Sequence, residues 1–274
     1  MSSDQKPQPE GSGDELELRR LVDGQAVIPI GRVDGVIFDM DGVVTDTAKV
    51  HAGAWKQMFD EYLRHRTEGT DESFVPFDSG KDYLLYVDGK SRYDGARAFL
   101  DSRHISLPFG TPQDPPEAQT VSGLANRKDK YFMKQLETGG ADAYTSTIRL
   151  VSELQKRGLG IAIISASRNM KEVLHAADVA DLFDEKVDGR DAAELGLKGK
   201  PDPAVFLEAA KRLGVHPRRA VVVEDALAGV EAARRGGFGL VIGVDRVGQA
   251  EALRNAGADV VVKDLAEVTI SEEI

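Results

Sequence analysis

The sequence predicts an α/β fold, a Rossmann-like parallel sheet core with an inserted all-helical cap domain. Three observations predict it. Short apolar runs near 33–38, 159–164, 220–223, 238–244 and 259–262 read as buried strands. Amphipathic helical patterns alternate with the later runs, the arrangement that builds a parallel sheet covered on both faces. Between the first run and the second lies a long stretch, 48–140, with helical periodicity and no strand pattern.

Taken in order, the chain opens with a segment rich in Pro, Gly, Ser and Glu, so a disordered tail is expected over 1–25. The first strand, VDGVIF, ends in the acidic turn DMDG. From 47 to 64 the pattern is helical, with Val50, Ala54, Met58 and Tyr62 four residues apart. SRYDGARAFLDSR forms a second helix, and a Pro-rich loop leads to a third, expected at about 117–137. The rhythm changes after GGAD. A helix over 145–157 stops at Gly158 and runs straight into the strand LGIAIIS. Helices over 169–177, 203–213 and 226–235 then alternate with the remaining strands. The expected division is a core from 26–47 and 141–274, with the helical cap domain at 48–140.

Composition narrows the function classes. The chain has 274 residues, 41% hydrophobic, enough for a substantial core. Its formal net charge of −11 argues against indiscriminate binding to nucleic acid or anionic membranes. A local cationic cleft remains compatible with that balance. Without cysteine there is neither a disulfide framework nor a thiolate metal site. The polar, acidic beginning does not read as a secretory signal, and no segment is apolar for long enough to span a bilayer. A cytoplasmic monomer is expected, with no nucleic-acid or membrane partner.

In open parallel sheets ligands bind outside the carboxyl ends of the strands, so the residues following each strand matter most. Asp39 and Asp41 follow the first, Ser165 and Ser167 the second, Glu224 and Asp225 the strand at 220–223. Lys200 stands in the loop GKPDP just before a helix. Singly, each of these reads better as a cap or turn residue. Jointly they bring at least four carboxylates, two hydroxyls and one ammonium to one rim. Carboxylates crowded in this way repel one another unless a cation is present, and hard oxygen ligands suit Mg²⁺.

FDMDGVVTDT resembles the first motif of the haloacid dehalogenase superfamily, Ser165 the second, Lys200 in KPDP the third and VVVEDALAGV the fourth. Order and spacing agree over nearly the whole chain after residue 30. The resemblance implies that Asp39 is the nucleophile and Asp41 the general acid and base. It implies Mg²⁺ held by Asp39, the Asp41 carbonyl and Asp225, with Glu224 close by. Ser165 and Lys200 would grip the transferring phosphoryl group, and the helical insertion would be the cap.

Within that superfamily the chain is similar to the β-phosphoglucomutases. DGVVTDTAKVHAGAWK resembles their first motif and the helix beyond it, and places Thr47, His51 and Trp55 along one helix face. By that resemblance Thr47 sits at the hinge, and His51 helps hold Asp41. ISASRN resembles their serine signature, which implicates Ser165, Ala166, Ser167, Arg168 and Asn169. Ser165 and Ser167 point to one side if the strand continues through them, and the helix start near Asn169 offers backbone N–H groups to an anion. GKSRYDG implicates Arg92 as the grip on a second, non-transferring phosphate, and LANRKDKYF implicates Lys128, less directly Arg127. Arg168 stands where lysine is usual, Tyr93 and Asp129 depart from the pattern, and extra residues fall near 66–82 and 105–120.

The implied activity is an isomerase that interconverts β-glucose 1-phosphate and glucose 6-phosphate. The route would be an aspartyl phosphate and β-glucose 1,6-bisphosphate, which would also serve as activator. A sugar-phosphate phosphatase is the alternative, and an idle binding module a third reading that the intact acid, serine and lysine set opposes.

Overall fold

The structure is a computed structural model that describes residues 26–71 and 73–272. The tail expected at 1–25 lies outside the described residues.

The sheet grows from strand β2, Gly35–Asp39, whose five residues are all buried. An extended GVIFD has no polar side chain until its last position, so it suits only the middle of a sheet covered on both faces. It pairs in parallel with β3, Gly160–Ile164, on one side and β5, Ala220–Glu224, on the other. Strands β4 (Glu185–Val187), β6 (Leu240–Val244) and β7 (Val260–Val262) complete an all-parallel sheet ordered β4-β3-β2-β5-β6-β7. The chain winds outward from β2 in one direction, then returns and winds outward in the other. The strand order therefore reverses between β2 and β5, and that crevice is where such sheets bind ligands.

Alternation along β2 sends side chains to opposite faces. Val36 and Phe38 enter one apolar cluster with Ile161, Val221 and residues Leu150, Val151 and Leu154 of helix α4, Thr145–Lys156. Ile37 enters the other with Ala162, Val222 and residues Val205, Phe206 and Ala209 of helix α7, Ala204–Leu213. Each large side chain buried in this way contributes about 1.5–3 kcal/mol. Helices α5 (Met170–Ala176), α6 (Gly189–Glu194), α8 (Leu227–Arg235) and α9 (Ala250–Ala256) fill the remaining connections.

Between β2 and β3 the chain forms helices α1, Ala48–Thr67, α2, Arg92–Ser102, and α3, Val121–Gly139. They share an apolar cluster of their own, with Trp55, Met58 and Phe59 of α1, Phe99 of α2 and Leu124 of α3. Phe59 sits at the centre, with ring centroids 4.1 Å from Phe99 and 5.3 Å from both Trp55 and Phe77. No strand occurs among the described residues of this segment, as its periodicity predicts.

Several details differ from the sequence reading. Helix α3 starts at Val121, later than 117, because the Thr120 hydroxyl accepts from the Gly123 amide and caps it there. The residues before it are spent in turns stitched by Asp114, which accepts from the hydroxyls of Thr111 and Thr120. A π-helical turn, Tyr83–Val87, precedes α2. The short edge strand β4 and helices α6 and α9 carry too few apolar residues for a periodic signal. The same holds for β1 (Val27–Pro29) and β8 (Thr269–Ser271), which pair with each other in a separate two-stranded sheet. No described helix is long and apolar enough to cross a membrane.

Candidate active site

Strand β2 delivers Asp39 to the rim at the reversal point, and β5 delivers Glu224 and then Asp225 beside it. Asp39, Glu224 and Asp225 each offer a carboxylate oxygen within 4.8 Å of the others. Gly42, in the turn after β2, has φ +79°, and a Cβ there would lie 1.8 Å from Asp225 Oδ2. The turn therefore requires glycine on two counts, and its absent side chain is what lets Asp225 close on the loop after β2.

Lys200 reaches the same point from the loop before α7. Its ammonium donates to Asp39 Oδ1 at 2.7 Å and to Glu224 Oε2 at 2.6 Å, and all three residues are buried. The other Glu224 oxygen accepts from the Ala226 amide at 3.0 Å. Burial pushes the Asp39 carboxyl well above its ordinary range, and the charge of Glu224 adds to it. Asp225 moves the same way through burial and the charges of Asp88 and Glu224. Three hard carboxylates gathered at one buried point are the donor set that a divalent cation such as Mg²⁺ satisfies. The residues fit that ion.

Asp41 is treated differently. Thr47 Oγ1 donates to its Oδ1 at 2.5 Å, His51 Nε2 lies 3.2 Å from the same oxygen, and Ser165 Oγ donates to Oδ2 at 3.2 Å. Burial opposes ionisation, but His51, Thr47 and Ser165 outweigh it and hold the carboxyl at about 2. Thr47 is the residue just before α1 and His51 lies one turn into it, so the start of one helix organises this grip. Lys128 Nζ contacts His51 Nδ1 at 2.7 Å, which leaves the His51 proton for the Nε2 side facing Asp41.

Strand β3 ends at Ile164, and strand geometry does not continue through the serines. Ser165 Oγ accepts from the Ser167 amide and Ser167 Oγ from the Asn169 amide, so the chain bends through two hydroxyl-stitched turns. The Asn169 amide expected to serve an anion is thereby occupied. Ser165, Ala166, Ser167 and Arg168 all line the cavity nonetheless.

The opposite wall comes from the helical segment. Trp55, His51, Arg92, Lys128 and Asp129 face the same cavity of about 220 Å³ as Asp39, Asp41 and Lys200. That is the scale of a small molecule. Lys128 is buried over the rings of Trp55 and Phe132, 5.2 and 4.9 Å from their centroids. Burial brings its ammonium down to about 8. Trp55 thus serves both as core packing and as cavity wall. Arg127, the less direct candidate, instead donates to the Pro116 carbonyl and does not line the cavity. The guanidinium groups of Arg92 and Arg168 lie over the Tyr93 ring, 5.1 and 5.6 Å from its centroid, so two of the three departures from pattern occur together.

Gly89 and Lys90, which open GKSRYDG, also line the cavity, as do Tyr83 and Asp88, which escaped the sequence reading. Burial, reinforced by Glu224, raises the Asp88 carboxyl to about 7. A Cβ on Gly89 would lie 2.8 Å from that of Ala226, so the helical segment presses directly on the turn after β5. The signal available was position alone: Asp88 immediately precedes GKSRYDG.

The family model for haloacid dehalogenase-like hydrolases matches residues 33–237. A β-phosphoglucomutase of Mycobacterium tuberculosis is 49% identical over 240 residues, covering 86% of this chain and 92% of that protein. One from Bacillus subtilis is 33% identical over 236 residues, covering 86% and 91%. The crystal structure of β-phosphoglucomutase from Clostridium difficile superposes with a TM-score of 0.67 at 26% identity, covering 86% of this chain and 93% of that one. The four motifs, the sheet order and these similarities converge, and the chain belongs to the haloacid dehalogenase-like hydrolase family, in the neighbourhood of the β-phosphoglucomutases.

Proposed function

We propose that the chain is a phosphoryl-transfer isomerase, a β-phosphoglucomutase, with the helical segment acting as its cap. One observation carries the choice of isomerase over phosphatase. The cavity has cationic groups on both walls, Lys200 with the Ser165 hydroxyl on the rim that carries Asp39, and Arg92 with Lys128 on the helical side. Asn169, expected among the ligand-binding residues, does not line it and donates its side-chain amide to Asp129 instead. Removing one phosphate calls for one such set, whereas turning a bisphosphate end for end calls for two. The similarity to proteins named β-phosphoglucomutase supports the same reading.

Asp39, Glu224 and Asp225 would hold Mg²⁺, which neutralises charge between a carboxylate and a phosphate. The protein's own groups do the rest. Asp39, carrying a phosphoryl group, passes it to a sugar hydroxyl, and that hydroxyl's proton goes to Asp41. The grip of His51, Thr47 and Ser165 keeps Asp41 ionised and therefore able to accept it. The resulting β-glucose 1,6-bisphosphate reorients. Asp39 then attacks its other phosphorus, the P–O bond to the sugar breaks, and Asp41 returns the proton to the departing oxygen. Lys200 and Ser165 stabilise the phosphoryl oxygens in both directions.

The test is direct. β-Glucose 1-phosphate is supplied with Mg²⁺ and a trace of β-glucose 1,6-bisphosphate, and glucose 6-phosphate and free phosphate are followed together. Glucose 6-phosphate should account for nearly all the sugar consumed. Free phosphate released in step with sugar consumption would replace this reading with a sugar-phosphate phosphatase.

A further inference from the structure

Asp129 sits on α3, on the helical wall of the cavity, and reaches across to the loop after β3. Its Oδ1 accepts from Asn169 Nδ2 at 2.7 Å and pairs with Arg92 Nη1 at 3.1 Å. Arg92 belongs to the helical segment and Asn169 to the loop after β3, so one carboxylate oxygen ties the two together. The rest of the Arg92 guanidinium is poorly satisfied. Its Nη2 reaches Tyr93 and Asn126 only at 3.3 and 3.4 Å, and its Nε is buried without a hydrogen-bond partner among the described residues. A planar fork of donors with unused capacity facing a cavity is built for an anion of more oxygens than one carboxylate presents.

We propose that Asp129 is an internal counter-anion that occupies the site of the distal phosphate, and that a ligand's second phosphate must displace it. This rests on the reading of the cavity as a sugar-phosphate site with a distal subsite. The consequence is selection among ligands. A phosphate brings three oxygens and a larger charge to Arg92 and Asn169 and outcompetes the carboxylate. A neutral hydroxyl does not, so a ligand without a distal phosphate leaves the latch shut. Asp129 thereby acts as a specificity-determining residue, and its negative charge costs affinity for every ligand that has to displace it.

Asp129→Asn removes the charge while keeping the shape and one hydrogen bond to Asn169. Two measurements on the full chain test the proposal. Without ligand, amide hydrogen exchange in the 165–169 loop should speed up, because the link to Arg92 is lost. With ligand, the dissociation constant for glucose 6-phosphate should fall about tenfold, as expected for one like-charge contact removed near a bound anion. The gain should be larger for glucose 6-phosphate than for acetyl phosphate, which has no distal group. Asp129→Ser, folded by circular dichroism, should shift in the same directions. Weaker glucose 6-phosphate binding would make Asp129 a sugar-hydroxyl acceptor and overturn the proposal, as would unchanged binding. Should glucose 6-phosphate fail to bind even the wild type, the functional reading fails instead. The exchange measurement then decides the latch alone: faster exchange upholds it, and unchanged exchange overturns it.

Discussion

Two buried lysines face this cavity, one from each wall, and they are held in opposite ways. Lys200, from the sheet rim, lies between Asp39 and Glu224 at 2.7 and 2.6 Å. Burial works against its charge, but the two carboxylates outweigh burial and push its pKa up. Lys128, from the helical segment, is equally buried, yet it rests on His51 and two aromatic rings. There burial prevails, against the charges of Asp129 and Asp41, and its pKa falls to about 8. Lys200 is therefore a cation matched in advance by the side chains around it. The helical wall carries cationic capacity that is only partly matched, and on the proposed function an anionic ligand would complete it. On that reading, a fixed centre would do the chemistry and an under-satisfied wall would recognise what is brought to it.

The largest effect should come from the centre. Asp39→Asn keeps the shape but removes the attacking oxygen's charge, so turnover of sugar phosphate and of acetyl phosphate should fall together by at least about 10⁴-fold. Steady-state assays of both substrates check this. Survival of acetyl phosphate hydrolysis would mean that the rim is not where phosphorus is attacked.

Next in size is the cost of breaking the matched charges. Lys200→Met leaves Glu224, fully buried, with the Ala226 amide as its one remaining donor among the described residues. Removing one partner of a buried pair costs about 3–5 kcal/mol. Urea unfolding at pH 7 in chelator should show a loss of that size. A loss near zero would mean that the rim is not matched as described and would dissolve the contrast between the walls.

A sharper separation should come from Arg92→Ala. Isomerisation of β-glucose 1-phosphate should fall about 10²-fold, a loss of about 2–3 kcal/mol for one charge-assisted contact to phosphate. Acetyl phosphate hydrolysis should be nearly unchanged, since only the rim serves it. Equal losses in both assays would make Arg92 structural, and the helical wall would lose its claim to recognition.

The contrast also explains what the sequence could reveal. Asp39, Asp41, Ser165 and Asp225 sit at strand ends, where the backbone alone fixes their direction, so spacing along the chain translates directly into position. The alternating pattern places Asp39 and Glu224 on one rim, and the reversal of strand order between β2 and β5, which the structure adds, brings them side by side. The helical wall offers no such rule. Asp88 faces the centre because a π-helical turn and the close approach of Gly89 to Ala226 put it there, and neither is encoded in a periodicity. Asp129 reads as a departure from pattern, but its partners Arg92 and Asn169 are 37 and 40 residues away and meet only through tertiary packing. Short, polar β4 and the three-residue strands β1 and β8 were invisible for a simpler reason: too few apolar residues to make a signal.

The smallest predicted effect tests the other half of the comparison, the unmatched lysine. Lys128 is depressed from an ordinary 10.5 to about 8 in the folded chain. Between those two values the unfolded chain binds the proton more tightly than the folded one, so unfolding takes up a proton there. Folding stability attributable to Lys128 must then rise with pH across that window. Below about 8 both states are protonated and the full burial penalty is present. Above 10.5 neither is, and the penalty is gone. From pH 7 to pH 9.5 the wild type should therefore gain about 2 kcal/mol relative to Lys128→Met, which has no charge to bury. Urea unfolding of both proteins at the two pH values measures the difference directly. Added glucose 6-phosphate should shrink it, because an anion near Lys128 supplies the countercharge and returns its pKa towards 10.5. A difference that is flat with pH, or that runs the other way, would mean that Lys128 already has a matched partner. The two walls would then be alike in the one property that divides them.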